Sequence, residues 1–401
     1  MAASRTTTAL VIPELNGQFE LQEVRLNDIQ PDEVLVEIEA FGICHTDLSF
    51  AAGLLPCRPG AVLGHEGAGK VLSVGSSSTS HLSPGDSVLL SFSHCNSCPS
   101  CLSGHPAYCH SFNARNFSGC RPLPVHPDGI VDSSSLKDDP FTDPSYATFL
   151  TPDTNKPIFS QFFGQSSFAR HTLVHKSCCV KVPPETNLAL YAPMGCGMQT
   201  GAGAVLNSLG VKPGSSIAVF GVGSVGMAAV MAAAHIAKAK TIIAVDLQAS
   251  RLELAQKLGA THTVLGNNDK SSGEEMIKKE VRRICPPVGV DYAVDCTGSV
   301  AVIKTMIEVL GTRGRAATVG APGFGKVVGV DVMEHLTYGK EYVGSCEGDS
   351  SPKEFIPFLI DQHAKGNFPM DQFVTFYNVK DYKQALEDSH NGKAIKAVLK
   401  W

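Results

Sequence analysis

The fold is decided by the run Ser216-Ile217-Ala218-Val219-Phe220-Gly221-Val222-Gly223-Ser224-Val225-Gly226. Its first five residues have the length and polarity of a buried strand, and an alanine-rich helix is predicted from Met227 to Ala239. A Gly-x-Gly-x-x-Gly pattern by itself is weak evidence. Between a strand and a helix, however, it predicts the turn of a dinucleotide-binding fold.

A second predicted strand, Thr241–Asp246, ends in an acid twenty residues after Gly226. An acid at this distance accepts hydrogen bonds from the adenosine ribose and repels a 2′-phosphate, so NAD is favoured over NADP. The pyrophosphate is expected at the N-terminus of the helix. Its candidate ligands are Gly221, Gly223, Ser224, Val225 and Gly226. A tight turn that binds no ligand is the alternative.

Further strand and helix patterns alternate after Asp246. Helices are predicted over residues 251–258 and 301–310, and strands over residues 292–296 and 316–320. Such alternation implies a parallel sheet. The sequence therefore predicts an α/β fold in which residues 192–340 form a doubly wound, NAD-binding Rossmann domain.

The residues on either side of this domain have β-rich patterns. Residues 33–39 alternate between polar and apolar side chains, and Pro84-Gly85-Asp86 is turn chemistry between two strands. Residues 1–191 are therefore predicted to form a small, irregular β domain. Residues 341–401 end in an apolar run at 394–399, and they are predicted to return to that domain.

Three residues have the types and surroundings of zinc ligands. Cys44 lies in Gly42-Ile43-Cys44-His45-Thr46-Asp47, His65 in Gly64-His65-Glu66, and Cys196 between two glycines. A tetrahedral zinc held by three protein ligands keeps its fourth position open for chemistry. We therefore predict a catalytic zinc site, which would act as a Lewis acid. The alternative is that these are buried structural residues.

Four further cysteines follow one another at metal-ligand spacing. They are Cys95, Cys98, Cys101 and Cys109, within a lobe at residues 93–112. Four thiolates enclose one ion in a closed tetrahedron, which is typical of structural zinc. An iron–sulfur cluster would need its fourth cysteine after three residues and then a proline, and a disulfide pair is the other alternative. We predict a second, structural zinc.

Residues 119–156 differ in character from the rest. They are rich in Pro, Asp, Ser and Thr and show little periodicity. The pattern predicts a long surface insert, partly disordered. It is either a tolerated insertion or a lid or oligomer contact.

Composition excludes several classes of protein. The net charge of −5 comes without a basic run, so nucleic acid is not expected as a partner. The most apolar window, residues 217–234, is interrupted by three glycines, so no membrane span is expected. Thirteen cysteines, an odd number with four clustered, indicate a reducing compartment with metal-bound thiolates. With no targeting signal visible, a cytoplasmic location is expected.

Together these residues resemble the zinc-dependent medium-chain alcohol dehydrogenases, essentially from end to end apart from the insert. Residues 64–78 are similar to the zinc signature of that family. Residues 162–168, 195–205 and 347–350 are similar to its aryl (benzyl) alcohol dehydrogenases. The resemblance implies that the β domain is GroES-like and is completed by the C-terminal segment.

The resemblance also implies roles around the metal. Cys44, His65 and Cys196 match the ligands of the catalytic zinc. Glu66 matches an acid just behind the metal that tunes its charge. Asp47 matches the carboxylate that orients the zinc-bound imidazole.

Other matched positions serve the proton and the cofactor. Thr46 matches the hydroxyl that takes the substrate's proton, and Thr200 a residue near the nicotinamide carboxamide. His45 and Lys396 match residues that contact the pyrophosphate. Many relatives continue the proton relay to a histidine where this chain has Ser49, so the relay is expected to end in Ser49, water or His45.

The implied activity is the reversible, zinc-dependent and NAD-linked oxidation of a primary alcohol, aromatic or allylic, to its aldehyde. Alternatives are a specialised biosynthetic alcohol dehydrogenase or carbonyl reductase for a cyclic intermediate, a glutathione-dependent formaldehyde or polyol dehydrogenase, and a non-catalytic cofactor-binding protein. Two zinc ions per chain, a small alcohol or aldehyde as substrate, and a homodimer or homotetramer are expected.

Overall fold

The structure, a computed structural model, describes residues 6–77, 81–123, 139–267 and 270–401, apart from the side chains of residues 270–272. The chain divides into two compact units. The first comprises residues 1–196, 351–357 and 373–401, and the second comprises residues 197–350 and 358–372. The predicted boundaries at residues 191 and 340 stay predictions.

The N-terminal part of the first unit consists of short strands and short helices. In chain order they are β1 (Thr6–Ile12), β2 (Glu20–Leu26), β3 (Glu33–Gly42), α1 (His45–Ala51), β4 (Ala61–Val62), β5 (Gly67–Val74), β6 (Ser87–Leu90), α2 (Pro99–Leu102), α3 (Phe112–Asn116), β7 (Phe149–Leu150), β8 (Pro157–Ile158), β9 (His171–His175), β10 (Cys179–Val182) and α4 (Leu188–Tyr191).

The second unit alternates between helices and strands. They are α5 (Gly197–Gly203), β11 (Ser216–Phe220), α6 (Ser224–Met231), β12 (Thr241–Asp246), α7 (Ala249–Lys257), β13 (His262–Leu265), α8 (Lys270–Ile284), β14 (Val290–Asp295), α9 (Val300–Glu308), β15 (Leu310–Thr318), α10 (Val332–Tyr338) and β16 (Glu341–Gly344). The last elements of the chain are α11 (Pro352–Ala364), β17 (Val374–Asn378), α12 (Tyr382–His390) and β18 (Lys396–Lys400).

Two sheets form the first unit, the first antiparallel and the second mixed. One has the order β4-β1-β2-β7-β8, and the other has the order β10-β6-β5-β3-β18-β17 with β9 also paired to β3. In the second sheet Val398 lies opposite Gly42, and Gly67 lies opposite Phe41. This register brings the C-terminal strand and the residues around His65 beside the residues that follow β3, where Cys44 lies.

The sheet of the second unit is parallel throughout its described strands. Its order is β13-β12-β11-β14-β15-β16. Numbered within the sheet this is 3-2-1-4-5-6, the order of a doubly wound dinucleotide-binding fold. The predicted fold class, a Rossmann sheet with a separate β domain completed by the C-terminal segment, is confirmed.

Parts of the predicted insert are buried in the first unit. Phe149 is fully buried in β7, which pairs with β2. Arg121 is buried as well, and its guanidinium binds the Glu33 carboxylate through Nε at 2.7 Å and Nη2 at 2.9 Å. The prediction of a surface insert was therefore wrong for residues 119–121 and 147–150, because a few apolar and charged residues among many polar ones are enough to join a sheet, whereas residues 152–156 are exposed as predicted. Residues 124–138 lie outside the described residues.

The helices were also searched for membrane spans. Within the described ranges, none is both long and apolar enough to cross a bilayer.

Candidate active site

Asp47 links the start of a helix to the imidazole of His65. Helix α1 begins directly after Cys44, and Asp47 in its first turn accepts a hydrogen bond from the Cys44 backbone N–H at 3.0 Å. The other carboxylate oxygen, Oδ1, accepts from the Gly64 N–H at 3.0 Å and lies 2.9 Å from His65 Nδ1. The carboxylate therefore fixes Nδ1 as the N–H of the ring and leaves a lone pair on Nε2.

The atoms around Nε2 fit a metal ion. One ligand atom each from Cys44, His65, Glu66 and Cys196 lies within 4.8 Å of the others. His65 Nε2 is buried and has no hydrogen-bond partner. A buried polar atom in this condition is costly unless it binds something. Two sulfurs and an imidazole nitrogen are the donors that zinc prefers.

The surroundings of Cys44 favour its thiolate form. A hydrogen bond with the Cys196 thiol holds the pKa of Cys44 well below its usual value, although burial opposes the shift. The charge of Lys396 acts in the same direction as the hydrogen bond. Because the thiolate is the form that binds metals, this environment suits a ligand.

Glu66 and Lys396 form a buried ion pair beside these donors. Lys396 Nζ lies 2.8 Å from both carboxylate oxygens and donates to the Ile43 carbonyl at 3.1 Å. Burial raises the pKa of Glu66 to about 7, against the opposing charge of Lys396. The Lys396 side chain is only 2% exposed and faces Glu66, so its expected contact with the cofactor pyrophosphate stays a prediction.

The three candidate relay residues lie on α1. Thr46 Oγ1 is 3.7 Å from Cys44 Sγ, and Thr46 is partly exposed. Ser49 is partly exposed and His45 is exposed. The structure thus brings Thr46 to the candidate metal ligands, and the proton-relay roles stay predictions.

The four-cysteine lobe is a second cluster of metal donors. The sulfurs of Cys95, Cys98, Cys101 and Cys109 all lie within 4.8 Å of one another. Burial opposes ionisation of Cys95, but hydrogen bonds with Ser97 and from the Cys98 backbone lower its pKa to about 5. The Cys95 backbone N–H donates to Cys109 Sγ at 3.4 Å. The His110 backbone N–H donates to Cys98 Sγ at 3.5 Å. Four sulfurs this close together fit a closed tetrahedral site.

The glycine-rich turn of the second unit needs its glycines. Gly221 has φ +81°, which favours glycine. A Cβ on Gly226 would lie 2.0 Å from the Gly221 carbonyl oxygen, so only glycine lets helix and turn approach so closely. Helix α6 begins at Ser224, three residues before the predicted start, because the turn itself forms its first residues. Ser224 and Val225 therefore lie at a helix N-terminus, where backbone N–H groups can bind an anion.

Asp246 is held at the end of β12 by backbone donors. Its Oδ2 accepts from the Val222 N–H at 2.8 Å and its Oδ1 from the Gln248 N–H at 2.9 Å. Arg251 Nη1 lies 4.0 Å from Oδ2, and Arg251 Nε is buried without a hydrogen-bond partner. Sequence reasoning missed Arg251; a basic residue five positions after the acid, in the first turn of α7, was the available signal.

Thr200 lies beside a strained segment of the second unit. Its Oγ1 is 3.4 Å from Glu347 Oε2. Glu347, Gly348 and Asp349 have φ values of +48°, +68° and +47°. Strain of this kind is concentrated at functional sites, and the expected role of Thr200 near the nicotinamide stays a prediction.

Aromatic rings pack on the His65 imidazole. The Phe163 ring stacks on it with centroids 4.4 Å apart and planes 20° from parallel, and the Phe162 ring meets it edge-on at 5.4 Å. Phe117 contacts Phe163 at 5.3 Å. Spacing in the sequence could not predict these contacts, because about a hundred residues separate His65 from the two phenylalanines.

Comparisons with known proteins agree with this geometry. The family model described as "Alcohol dehydrogenase GroES-like domain" matches residues 30–133, and "Zinc-binding dehydrogenase" matches residues 224–362. A geraniol dehydrogenase of Castellaniella defragrans is 34% identical over 391 residues, which cover 98% of this chain and 96% of the relative. The chain belongs to the zinc-dependent medium-chain alcohol dehydrogenases.

Two solved structures of this family resemble the present alcohol dehydrogenase closely. One is an alcohol dehydrogenase zinc-binding domain protein from Burkholderia ambifaria, at 42% identity and a TM-score of 0.87, with 99% of each chain covered. The other is a benzyl alcohol dehydrogenase from Acinetobacter calcoaceticus, at 38% identity and a TM-score of 0.85, again with 99% of each chain covered. The predicted family and enzyme class are confirmed.

Proposed function

We propose that this alcohol dehydrogenase catalyses the reversible, NAD-linked oxidation of a primary alcohol, aromatic or allylic, to its aldehyde. One observation carries the proposal. The His65 Nε2 atom is buried without a partner beside two cysteine sulfurs, and the Phe163 ring lies flat against the same imidazole. The unpartnered nitrogen and the two sulfurs therefore mark a metal position in apolar surroundings.

Cys44, His65 and Cys196 would hold a catalytic zinc. When bound, zinc supplies Lewis-acid polarisation of the alcohol or carbonyl oxygen. Asp47 keeps the imidazole proton on Nδ1, so that Nε2 stays a ligand. Glu66 remains behind the site, where Lys396 offsets its charge.

The alcohol's proton would leave through α1. The Thr46 hydroxyl accepts it and passes its own proton on to Ser49, water or His45. The side chains of Thr46, Ser49 and His45 are each at least partly exposed, so the proton can reach solvent from any of them. When bound, the nicotinamide would supply the acceptor for the hydride of the carbinol carbon.

NAD would bind the second unit. Asp246 would accept hydrogen bonds from the adenosine ribose, and its charge would repel a 2′-phosphate. Gly221, Gly223, Ser224, Val225 and Gly226 would surround the pyrophosphate at the start of α6, while Arg251 would lie against the ribose from the side of α7. Thr200 would serve the carboxamide.

The substrate class is supported by the relatives. Geraniol and benzyl alcohol, the alcohols for which two relatives are named, are both primary alcohols with an unsaturated carbon next to the carbinol. Phe162 and Phe163 are buried against His65 and hold its ring, so they support the metal position and not the choice of substrate.

A second zinc would be held by the four-cysteine lobe, where all four positions of a tetrahedron would be filled by Cys95, Cys98, Cys101 and Cys109. This gives two zinc ions per chain with separate roles.

A homodimer would cover an apolar surface of the second unit. Phe324, Val332, Met333 and Leu336 are 64–73% exposed. Three of them lie on α10, which contacts β15. The neighbour of β15 is β16, the last strand of the parallel sheet, whose outer side pairs with no strand among the described residues. An open sheet edge of this kind suits two-fold pairing with a second copy of the chain.

NADH formation tests the proposal. The zinc-loaded enzyme is expected to favour benzyl alcohol and geraniol over ethanol in kcat/KM by at least about tenfold, roughly 1.4 kcal/mol, since the larger alcohols bury more apolar area than the methyl group of ethanol does. A chelator should abolish turnover, and added zinc should restore it. Cys44→Ser should lose turnover but still bind NAD, whereas Cys57→Ser, a thiol outside both clusters, should behave as wild type. Full activity without zinc, or a preference for ethanol, contradicts the proposal.

A further inference from the structure

A strained segment packs behind the candidate catalytic metal site. Between residues 161 and 166 the φ angle is positive at Gln161 (+58°), Phe163 (+51°), Gly164 (+68°) and Ser166 (+49°). Three of these are not glycine, and such conformations persist only where the surroundings hold them in place. The segment is buried throughout. Specific contacts must therefore hold the backbone of residues 161–166 in this conformation.

The side chain of Gln165 makes three of these contacts. It is fully buried, and its Nε2 donates to the carbonyl oxygens of His65 and Ser91, both at 3.0 Å. Its Oε1 accepts from the Gly67 N–H at 3.2 Å. One amide thus joins the backbone on both sides of Glu66 to the chain that follows β6.

The polarity of these partners fixes the orientation of the amide. Two carbonyl oxygens require the NH₂ end, and one N–H requires the oxygen end. If the amide were turned over, oxygen would face two oxygens. No residue of the same length but different hydrogen-bonding groups can replace all three contacts.

The network continues from Ser91 to the third candidate ligand. Ser91 Oγ donates to the Gly195 carbonyl at 2.7 Å, and Gly195 directly precedes Cys196. A Cβ on Gly195 would lie 1.9 Å from the Leu90 carbonyl oxygen, so the backbones of Leu90 and Gly195 are in close contact. Through Gln165 the backbone at His65 and the backbone before Cys196 are held at fixed positions.

The same segment also fixes the plane of the imidazole. Phe163 stacks on its face, and Phe162 meets its edge. His65 is then held at Nδ1 by Asp47, on its face by Phe163 and at its own carbonyl by Gln165.

We propose that Gln165 is a positioning residue that holds the backbone of two metal ligands, His65 and Cys196, and thereby sets how tightly the catalytic centre binds zinc. The inference rests on the proposed function, because it concerns the metal of that site. Partners outside the ligand shell commonly contribute 10–100-fold to metal affinity. The strained path of residues 161–166 is the arrangement that delivers the amide and the two rings to this point.

The test compares two buried glutamines of one segment. Gln165→Met keeps the length of the side chain but removes its hydrogen-bonding groups. Gln161→Met is the matched control, because Gln161 is equally buried and donates instead to Leu173 O at 3.1 Å and Glu33 Oε1 at 3.4 Å. Zinc affinity is measured by competition with a chelator, and the four-cysteine centre of the same chain is the internal reference.

Gln165→Met is expected to bind the catalytic zinc about 10–100-fold more weakly, with no change at the four-cysteine centre. In protein loaded with Co²⁺, the difference spectrum against the corresponding Cys44→Ser variant should shift, since the ligand geometry changes. Gln161→Met should match wild type in both measurements. Equal affinity and an equal spectrum in Gln165→Met would overturn the inference.

Two further outcomes keep the result interpretable. If Gln165→Met does not fold, Gln165→Asn, which is one methylene shorter, is expected to weaken zinc binding in the same direction, and wild-type affinity in that variant contradicts the inference. If wild type and Cys44→Ser hold the same amount of zinc, the proposed catalytic centre itself is wrong, which is a different failure.

Discussion

Asp47 Oδ1 lies 2.9 Å from His65 Nδ1, and both side chains are completely buried. The two oxygens of this carboxylate face only N–H groups, those of Cys44, Gly64 and the imidazole. Asp47 therefore does three things at once. It accepts the Cys44 N–H at the start of α1, and it holds the Gly64 N–H before His65. It also selects the imidazole tautomer that leaves Nε2 free to bind a metal.

Asp47→Asn is expected to weaken the catalytic zinc about 10–100-fold. Each oxygen of Asp47 accepts from an N–H, so the NH₂ group of an asparagine faces a donor in either orientation. Zinc per chain after dialysis against a chelator, together with kcat/KM, measures the effect. Asp86→Asn, whose carboxylate accepts from the Ser83 N–H outside the site, is the control. Unchanged zinc retention in Asp47→Asn would remove the role given to this carboxylate.

The fold could be predicted where one local signal dominates. The strand at Thr241–Asp246 lies where the sequence predicts it, because an apolar run has clear ends there. Helix α8, Lys270–Ile284, was missed, since its many charged residues hide the few apolar positions.

The candidate site was predictable only in its ligand types. Cys44, His65 and Cys196 stand in motifs that can be read locally. Gln165 and Phe163 reach His65 from about a hundred residues away, and spacing carries no information about such a contact. The ion pair of Lys396 with Glu66 was likewise not predictable from spacing, because 330 residues separate the two.

Cys109→Ser is expected to reduce the zinc content by about one ion per chain and to lower the thermal midpoint. The four-cysteine lobe has only short helices around it, so its stability depends on the metal. Elemental analysis and calorimetry measure both effects. Cys285→Ser, which changes a thiol outside both clusters, should leave the zinc content at two. A Cys109→Ser protein that keeps two zinc ions would favour a different ligand.

Arg121→Met is expected to destabilise the protein by about 3–5 kcal/mol, because it leaves the buried Glu33 carboxylate without its cation. The double variant Glu33→Gln/Arg121→Met should recover part of the loss. Lys70→Met removes an exposed partner of Glu39 and should cost less than about 1 kcal/mol. Urea unfolding gives the three values. If Arg121→Met is as stable as Lys70→Met, the ion pair of Arg121 with Glu33 does not hold the flank of the insert.

Leu336→Asp is expected to shift the assembly toward the monomer. Leu336 is 72% exposed on α10, among other apolar side chains, and a charge there would have to be buried in a dimer at considerable cost. Light scattering behind size exclusion gives the mass at several concentrations. Leu54→Asp is the control, since Leu54 is 75% exposed but belongs to the other unit. If both variants keep the wild-type mass, a second copy does not cover this surface.

Asp246→Gly is expected to lower the ratio of kcat/KM for NAD to that for NADP by at least about tenfold, which is roughly 1.4 kcal/mol. Two effects act together: the carboxylate that repels a 2′-phosphate is lost, and Arg251, 4.0 Å from it, is released to bind that phosphate. The double variant Asp246→Gly/Arg251→Ala separates them. If Arg251 contributes, the double variant should lose most of the gain with NADP, and the two substitutions should not be additive because the side chains adjoin each other. Arg251→Ala alone should change the ratio little, since Asp246 still repels the phosphate. A ratio that does not move in Asp246→Gly would show that another residue selects the cofactor.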